Sequence, residues 1–397
     1  MSAAPGLAPM AALIASVEIQ DFRSIRHSRL DFEPLCALVG EAETGKSNLL
    51  AALHCVLDPS VDPVPADLTQ GGSQTLSLRA SLGSHGQVQV TGRPPATVRS
   101  GDAAPPVLFL PAAARDSALL AARGTANPVT VMFQHAPDTR AHEPALIRAF
   151  DACLAAGVHG VVALIEEPEL YLRPQGQRLL YRLLRRFTEA GNQVVYSTHA
   201  PTFLNAARLD EVVFVERLPE SGTRATGPAP ITQDEDFRVL SEFDAERSEL
   251  LLARAALLVE GLTEKLAFPF VFAALGFDAD REGVTIVECG GKANIPLFVR
   301  VCHAAGVPCV AVHDRDALPG RRPRLSERIW NRQIRDVAGQ DHTIVVEPNF
   351  EGLVHLPAGA RKPEQAWRRF AALPLAEIPE PLARAARLAV ELARGAA

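Results

Sequence analysis

Lysine is almost missing from this chain. Of its 40 basic residues four are lysine, Lys46, Lys265, Lys292 and Lys362, and the rest are arginine. Where arginine serves nearly everywhere, a retained lysine hints that a compact ammonium is wanted. Three of the four lie in or beside the motifs below, whereas Lys265 also suits a solvent-facing position. Paired cysteines are missing too. Cys36, Cys55, Cys153, Cys289, Cys302 and Cys309 form no C-x-x-C pair, and several sit in apolar runs. That argues against a zinc or disulfide framework and predicts buried free thiols in a reducing compartment. No apolar run reaches membrane-span length. The N-terminus, MSAAPGLAPMAALIAS, has no basic residue ahead of its apolar part, so no secretory leader is expected. The resulting expectation is a cytoplasmic protein with no membrane partner. A charge excess is also lacking: the formal net charge is −6, so any nucleic-acid-binding surface must be a local patch. With 397 residues, 47% hydrophobic and 22% charged, the chain is long enough for two globular domains with separate cores.

The stretch Val161 to Thr202 organises the first domain. Val161 to Ile165 reads as a strand buried on both faces, ending in Glu166 and Glu167 before Pro168. A helix follows, with Leu179, Leu180, Leu183 and Leu184 between arginines. A second buried strand, Val194 to Tyr196, runs into Ser197-Thr198-His199. This is a βαβ unit with its polar groups at the C-terminal strand ends, the edge where open α/β sheets bind ligands. Two acids leaving a buried strand suit two jobs, one holding magnesium and the other orienting a water; acids near a helix N-terminus are the plainer reading.

Upstream, the strand Cys36 to Val39 breaks at Gly40-Glu41-Ala42-Glu43-Thr44-Gly45-Lys46-Ser47, followed by a helix from Asn48 to Leu57. This G-x-x-x-x-G-K-S pattern lies between a strand and a helix, as a phosphate-binding loop requires. Its backbone N–H groups would wrap phosphates, with Glu43, Thr44 and Asn48 included in the expected contact set. Lys46 would meet the outer phosphates and Ser47 would ligate magnesium.

Elsewhere Ile14 to Phe22 reads as a strand and Phe22 to Leu30 as a basic turn. Thr75 to Val98 suggests small antiparallel strands, Val107 to Leu110 a buried strand, and Glu143 to Ala156 a helix. Val212 to Val215 is expected to close the first sheet. The domain expectation is 1–217, a linker at 218–247, a second α/β domain at 248–356 and a helical tail at 357–397. Glu246 to Arg254 is predicted as a helix, and strands are predicted at Ala256 to Val259, Val284 to Glu288, Cys309 to Val312 and Ile344 to Val346, with a helix at Ile295 to Ala305. Three of these strands end in acids: Glu260, with Glu264 opening the next helix; Asp314 and Asp316, expected to face the same way by the strand period; and Glu347, with Glu351 beyond it. Hard oxygen ligands on a rigid sheet edge suit Mg²⁺ or Mn²⁺, and two such ions could activate a water against a phosphodiester. Gly290-Gly291-Lys292 is read either as a plain turn or as one aiming a cation at a phosphate, and His313 as a packed residue.

Taken together, GEAETGKS, LIEEPELYLRPQ and STHAP, then LLVEGLTEK, GGKANI, HDRDA and EPNFEG, resemble the OLD (overcoming lysogenization defect) nucleases over most of Ile14 to Leu353. The resemblance implies an α/β fold, a P-loop ABC-type ATPase domain followed by a smaller Rossmann-like Toprim domain. It implies ATP at Gly40, Gly45, Lys46 and Ser47, magnesium at Glu166, a water polarised by Glu167, and His199 sensing the γ-phosphate. In the Toprim domain it implies metals on Glu260, Glu264, Asp314 and Asp316, with Glu351 a further ligand and Lys292 stabilising the transition state. DNA is the implied partner, with a homodimer or higher homo-oligomer. An LSGGQ-like signature is not found in Gly124 to Ala149, where that family's ATPases would carry one. A competing expectation is a RecF- or SMC-like nucleotide-switched clamp that binds DNA without cutting it. A primase or topoisomerase fits less well, because none of the three tyrosines has a nucleophile context and no zinc motif is present.

Overall fold

The computed structural model describes residues 12–83, 86–112, 145–204, 206–228, 246–316, 324–356, 362–372 and 374–395. The chain divides into two compact units, Met1–Leu204 with Asp210–Pro228, and Asn205–Leu209 with Ala229–Ala397.

The described strands of the first unit are β1 (Ile14–Phe22), β2 (Ile25–Asp31), β3 (Leu35–Val39), β4 (Leu76–Leu82), β5 (Gln87–Arg93), β6 (Ala96–Gly101), β7 (Val107–Leu110), β8 (Val162–Glu166), β9 (Gln193–Ser197), β10 (Val212–Leu218) and β11 (Gly222–Thr226). They form one sheet in the order β6-β5-β4-β1-β2-β11-β10-β3-β9-β8-β7. From β10 to β7 the pairing is parallel. There β3 and β9 are buried at every residue, as unbroken runs of a parallel sheet covered on both faces should be. The other half is antiparallel and alternates, with Val17 and Ile19 inward and Gln20 outward. Three α-helices are described: α1 (Lys46–Leu57), α2 (Ala145–Ala155) and α3 (Pro174–Glu189). In α3, Leu180, Leu183, Leu184 and Phe187 share one face at helical spacing and are buried. Each such side chain contributes roughly 1.5–3 kcal/mol on leaving water.

Three expectations are corrected in this unit. The basic turn at Phe22 to Leu30 is largely strand β2, which turns Arg26, His27 and Arg29 outward and Ser28 and Leu30 inward. The linker expected from residue 218 begins with sheet instead: β10 runs to Leu218, and β11 pairs with β10 and β2. For the same reason Val212 to Val215 does not close the sheet; β10 lies inside it, between β11 and β3.

The second unit holds β12 (Ala255–Val259), β13 (Val284–Glu288), β14 (Cys309–Asp314) and β15 (Thr343–Val346), all parallel, in the order β13-β12-β14-β15. Its longer described helices are α4 (Leu262–Ala274), α5 (Ile295–Ala304), α6 (Leu325–Ala338), α7 (Lys362–Ala371) and α8 (Glu380–Gly395). The helix expected at Glu246 to Arg254 is a 3₁₀ segment, Arg247–Leu252. The expected tail belongs to the core: Leu382, Ala385, Ala386, Ala389, Val390 and Ala393 of α8 recur on one face and are buried with Leu257, Val310 and Val346. All six cysteines are buried and free. Among the described residues no helix is long and apolar enough to cross a membrane.

Candidate active sites

In the first unit the phosphate-type loop leaves β3 at Gly40 and enters α1 at Lys46. Gly40 and Gly45 hold φ of 152° and 107°. A Cβ on Gly40 would run into the Val215 carbonyl, and one on Gly45 into the Thr223 hydroxyl, so only glycine fits either position. No side chain caps α1 and no acid lies in its first turn. Its N-terminal N–H groups and positive dipole end are therefore left for an anion. The Lys46 ammonium donates to the carbonyls of Gly40 at 2.9 Å and Glu41 at 2.6 Å. Burial lowers its pKa, against the opposing pull of Glu167, Glu169 and Glu41. Thr44 Oγ1 donates to the Glu41 carbonyl at 2.9 Å, Glu43 takes a left-handed φ of 62°, and Ser47 is exposed. Asn48, expected at the nucleotide, braces the loop from behind: its Nδ2 donates to Ser24 Oγ at 2.7 Å, and its Oδ1 accepts from Arg23 at 3.4 Å.

Strand β9 separates β3 from the acid strand β8, and the two acids leave β8 differently. Glu166 Oε2 accepts the Ala112 N–H at 2.9 Å. Glu167, at φ 43°, turns the chain and donates its own N–H to the Ser197 carbonyl at 2.9 Å. His199 is exposed; partial burial and then the Lys46 ammonium lower its pKa, while Glu167 and Glu169 oppose them. Lys46, Glu167 and His199 thus share one electrostatic neighbourhood. Glu169 was not among the expected site residues. Its Oε1 accepts from Thr198 Oγ1 and from the His199 N–H, each at 2.8 Å, and so fixes the backbone that carries His199. The only sequence signal for it was a third acid in Glu-Glu-Pro-Glu. Residues 124–144 of the stretch searched for a signature lie outside the described residues.

In the second unit Glu260 leaves β12 and Asp314 ends the neighbouring β14. Glu260 Oε1 accepts the Asp314 N–H at 2.7 Å, and Asp314 Oδ1 accepts the Phe350 N–H at 2.8 Å. Glu264 stands in the first turn of α4. Burial raises the pKa of Glu260 to about 7, with Asp316 and Glu327 adding. Burial raises Glu264 to about 7, with Glu260 and Glu351 adding. Burial raises Asp314 to about 8, with Glu260 and Glu264 adding. Three carboxylates are thus crowded where their charges oppose one another.

Asp316 departs from the expected alignment. Strand β14 stops at Asp314 and Asp316 sits at φ 56°, so the two-residue period no longer applies and its carboxylate meets Lys292. The buried Lys292 ammonium also donates to Glu327 at 2.9 Å and lies 3.8 Å from Glu260. Glu327, on α6, carried no sequence signal. Glu351 pairs with Lys362 at 2.6 Å. His313 is buried as expected, its pKa lowered by burial to about 4, with Nδ1 against the Asp314 carbonyl oxygen. Among the described residues no group of three or more His, Cys, Asp or Glu is arranged to hold a metal as it stands. Glu260 and Asp314 accept backbone N–H groups, and Asp316 is turned to Lys292. The donor set, all carboxylate oxygen on two adjacent strand ends and one helix turn, fits a hard divalent cation in kind.

Solved structures resembling parts of the fold include the SMC head domain from Thermotoga maritima, at TM-score 0.39 and 12% identity, covering 55% of this chain and 99% of that one. The C-terminal region of the Burkholderia pseudomallei OLD protein matches at TM-score 0.31 and 16% identity, covering 36% and 99%. Three family models match: the TOPRIM domain of overcoming lysogenization defect protein-like proteins over residues 251–316, an AAA domain (putative AbiEii toxin, Type IV TA system) over 145–205, and a protein of unknown function (DUF2813) over 12–66. An OLD nuclease of Thermus scotoductus is 33% identical over 234 residues, 54% of this chain and 44% of that protein. The Old nuclease of Escherichia phage P2 is 28% identical over 161 residues, 39% of this chain and 27% of that protein. The alignments thus span less than half the length of either relative. The matches support an OLD-type protein, an ATPase-type unit followed by a Toprim domain.

Proposed function

We propose that the chain is an ATP-binding, divalent-metal-dependent DNA endonuclease or nickase, acting in the cytoplasm as a homodimer or higher homo-oligomer in phage defence or DNA repair. The observation that carries the reading is the crowding of Glu260, Glu264 and Asp314 on adjacent strand ends, each held above the usual carboxylate range. Such a cluster keeps its charge only beside a cation. Mg²⁺ or Mn²⁺ bound there, with Asp316 and Glu351 within reach of rearrangement, would supply Lewis acidity to a phosphodiester and to water. Glu260, on the strand end beside Asp314, would accept the proton of the attacking water. Lys292, released from Asp316, would set its ammonium against the charge that develops on the phosphate.

In the first unit Gly40 to Ser47 would cradle ATP. Lys46 would exchange two neutral carbonyl partners for the outer phosphates. Glu166 with Ser47 would hold the magnesium, Glu167 would orient water, and His199 would stand at the terminal phosphate.

The test is plasmid cleavage with Mg²⁺ or Mn²⁺, with and without ATP. Asp314→Ala should lower cleavage at least about 100-fold, the range that loss of even an outer-shell partner can reach. Identical products from wild type and variant would reject the nuclease reading. One observation favours the nucleotide-switched DNA clamp: the acids are already engaged by backbone N–H groups and Lys292. That alternative requires ATP-dependent DNA retention that survives Asp316→Ala and never yields cut ends.

A further inference from the structure

Among the described residues, strand β13 at the end of the second unit's sheet pairs with β12 alone, and a cavity of about 650 Å³ lies along it. All five residues from Val284 to Glu288 line this cavity. Consecutive strand residues point to opposite faces, so the cavity follows the strand's rim rather than covering one face. Its other walls include Pro269 and Ala273 of α4 and Phe277 just beyond it.

The backbone of β13 is turned to receive a partner. The Gly283 carbonyl accepts the Arg254 N–H, and the Cys289 N–H donates to the Val259 carbonyl, each at 2.9 Å, so both residues face β12. By strand alternation Val284, Ile286 and Glu288 present their N–H and C=O groups outward. The Glu288 carbonyl already accepts a side-chain donor on that side, Arg247 Nε at 3.1 Å. An edge of this kind is a template for one more strand. Five residues at about 3.3 Å each make a seat about 16 Å long, enough for a short extended segment.

Charge selects the occupant. Glu246, Glu249, Asp278, Asp280 and Glu288 line the cavity against two cations, Arg247 and Lys265. Both cations are engaged: Arg247 by the Glu288 carbonyl and the face of Phe298, and Lys265 by Glu246. Burial, then Glu246, raises the pKa of Glu249; Lys265 opposes the rise and Asp280 adds to it. A second copy of this edge would bring acids against acids. The chain's own stretch ahead of Glu246 has the same sign at Asp234-Glu235-Asp236. We propose that β13 is the docking edge for an extended, basic segment of a partner protein, which adds as a further strand and sets its cationic side chains against Glu246, Glu249 and Asp280.

The test uses the full chain and a fluorescein-labelled heptapeptide of alternating valine and lysine, read by anisotropy. Two controls accompany it: the same peptide with glutamate for lysine, and the same peptide N-methylated at alternate backbone nitrogens. Saturable binding is expected, at least about tenfold weaker for each control. Glu249→Gln with Asp280→Asn should weaken the lysine peptide about threefold or more. No binding up to about 1 mM overturns the proposal, as does an acidic peptide that binds equally. So does an N-methylated peptide within about twofold of its parent, since charge alone would then account for capture. Ile286→Pro, which removes an outward N–H, should abolish binding. The N-methylated peptide keeps the test decisive should that variant fail to fold.

Discussion

The two candidate sheet edges are incomplete in opposite senses. At the end of β3, Lys46 is buried against two carbonyl oxygens, and the first turn of α1 holds no acid. Burial disfavours its charge, and nothing in that loop neutralises it by direct contact. The edge is short of an anion. At the end of β12 and β14 the lysine is well satisfied: Lys292 has Asp316, Glu327 and Glu260 around it, and these partners hold its pKa up against burial. There the acids are in excess, and the edge is short of a cation. A parallel sheet places polar ends on one rim in both units, and the sign of the missing charge then separates a rim suited to phosphate from one suited to a metal.

The largest way to break that contrast is Lys46→Ala. Charge-assisted hydrogen bonds contribute about 1.5–3 kcal/mol each, so affinity for a fluorescent ATP analogue should fall about 100-fold. Retention within about twofold would mean that phosphates are not held at this rim. The same substitution should leave divalent-ion binding to the second unit unchanged.

A smaller effect probes the other rim through pH. Glu260 and Glu264 rise from 4.5 to about 7 and Asp314 from 3.8 to about 8 in the folded chain. The folded state therefore binds more protons than the unfolded one between those limits. The stability these groups contribute is fully present below about pH 4 and is lost as pH rises toward 8. His313, its pKa lowered by burial to about 4, pulls the other way, so the comparison must be with a variant. Between pH 4 and 8 wild type should lose at least about 1.4 kcal/mol more than Asp314→Asn, the equivalent of one pKa unit. Mn²⁺ should restore the wild type at pH 8 more than at pH 5. Equal slopes in denaturant titrations of the two proteins would dissolve the idea of a carboxylate cluster.

Both rims were legible in the sequence for a shared reason: each acid or glycine run follows an unbroken apolar strand, and the spacing fixes the partner chemistry. Legibility failed where the strand period stopped or where no apolar signal existed. Asp316 was aligned with Asp314 by a two-residue period that ends at Asp314, and its positive φ sends it to Lys292 instead. Glu327 reaches the site from a helix 35 residues beyond Lys292, a distance no local pattern spans. The α8 stripe is mostly alanine, which reads as an unremarkable helix until the sheet closes against it. Strand β11, Gly-Thr-Arg-Ala-Thr, alternates only between small and polar residues, a pattern that reads as linker.

That overlooked strand supplies the smallest and most specific test of the anion-short rim. Thr223 is fully buried; its Oγ1 donates to the Thr44 carbonyl at 2.7 Å and is 2.7 Å from Ser24 Oγ, which accepts from Asn48. Thr223 thus ties the back of the phosphate-type loop to the antiparallel half of the sheet, with Gly45 pressed so close that no side chain fits between them. Thr223→Val keeps the shape and removes the hydroxyl, leaving the Thr44 carbonyl and Ser24 to find other partners. The cost should be about 1–3 kcal/mol of first-unit stability. Nucleotide affinity should drop about threefold, well short of the Lys46→Ala loss, because the anion's own contacts remain and only their positioning loosens. A loss as large as that of Lys46→Ala would make the loop's shape, rather than its uncompensated ammonium, the source of the affinity. The two rims would then differ in architecture and not in the sign of the charge they lack.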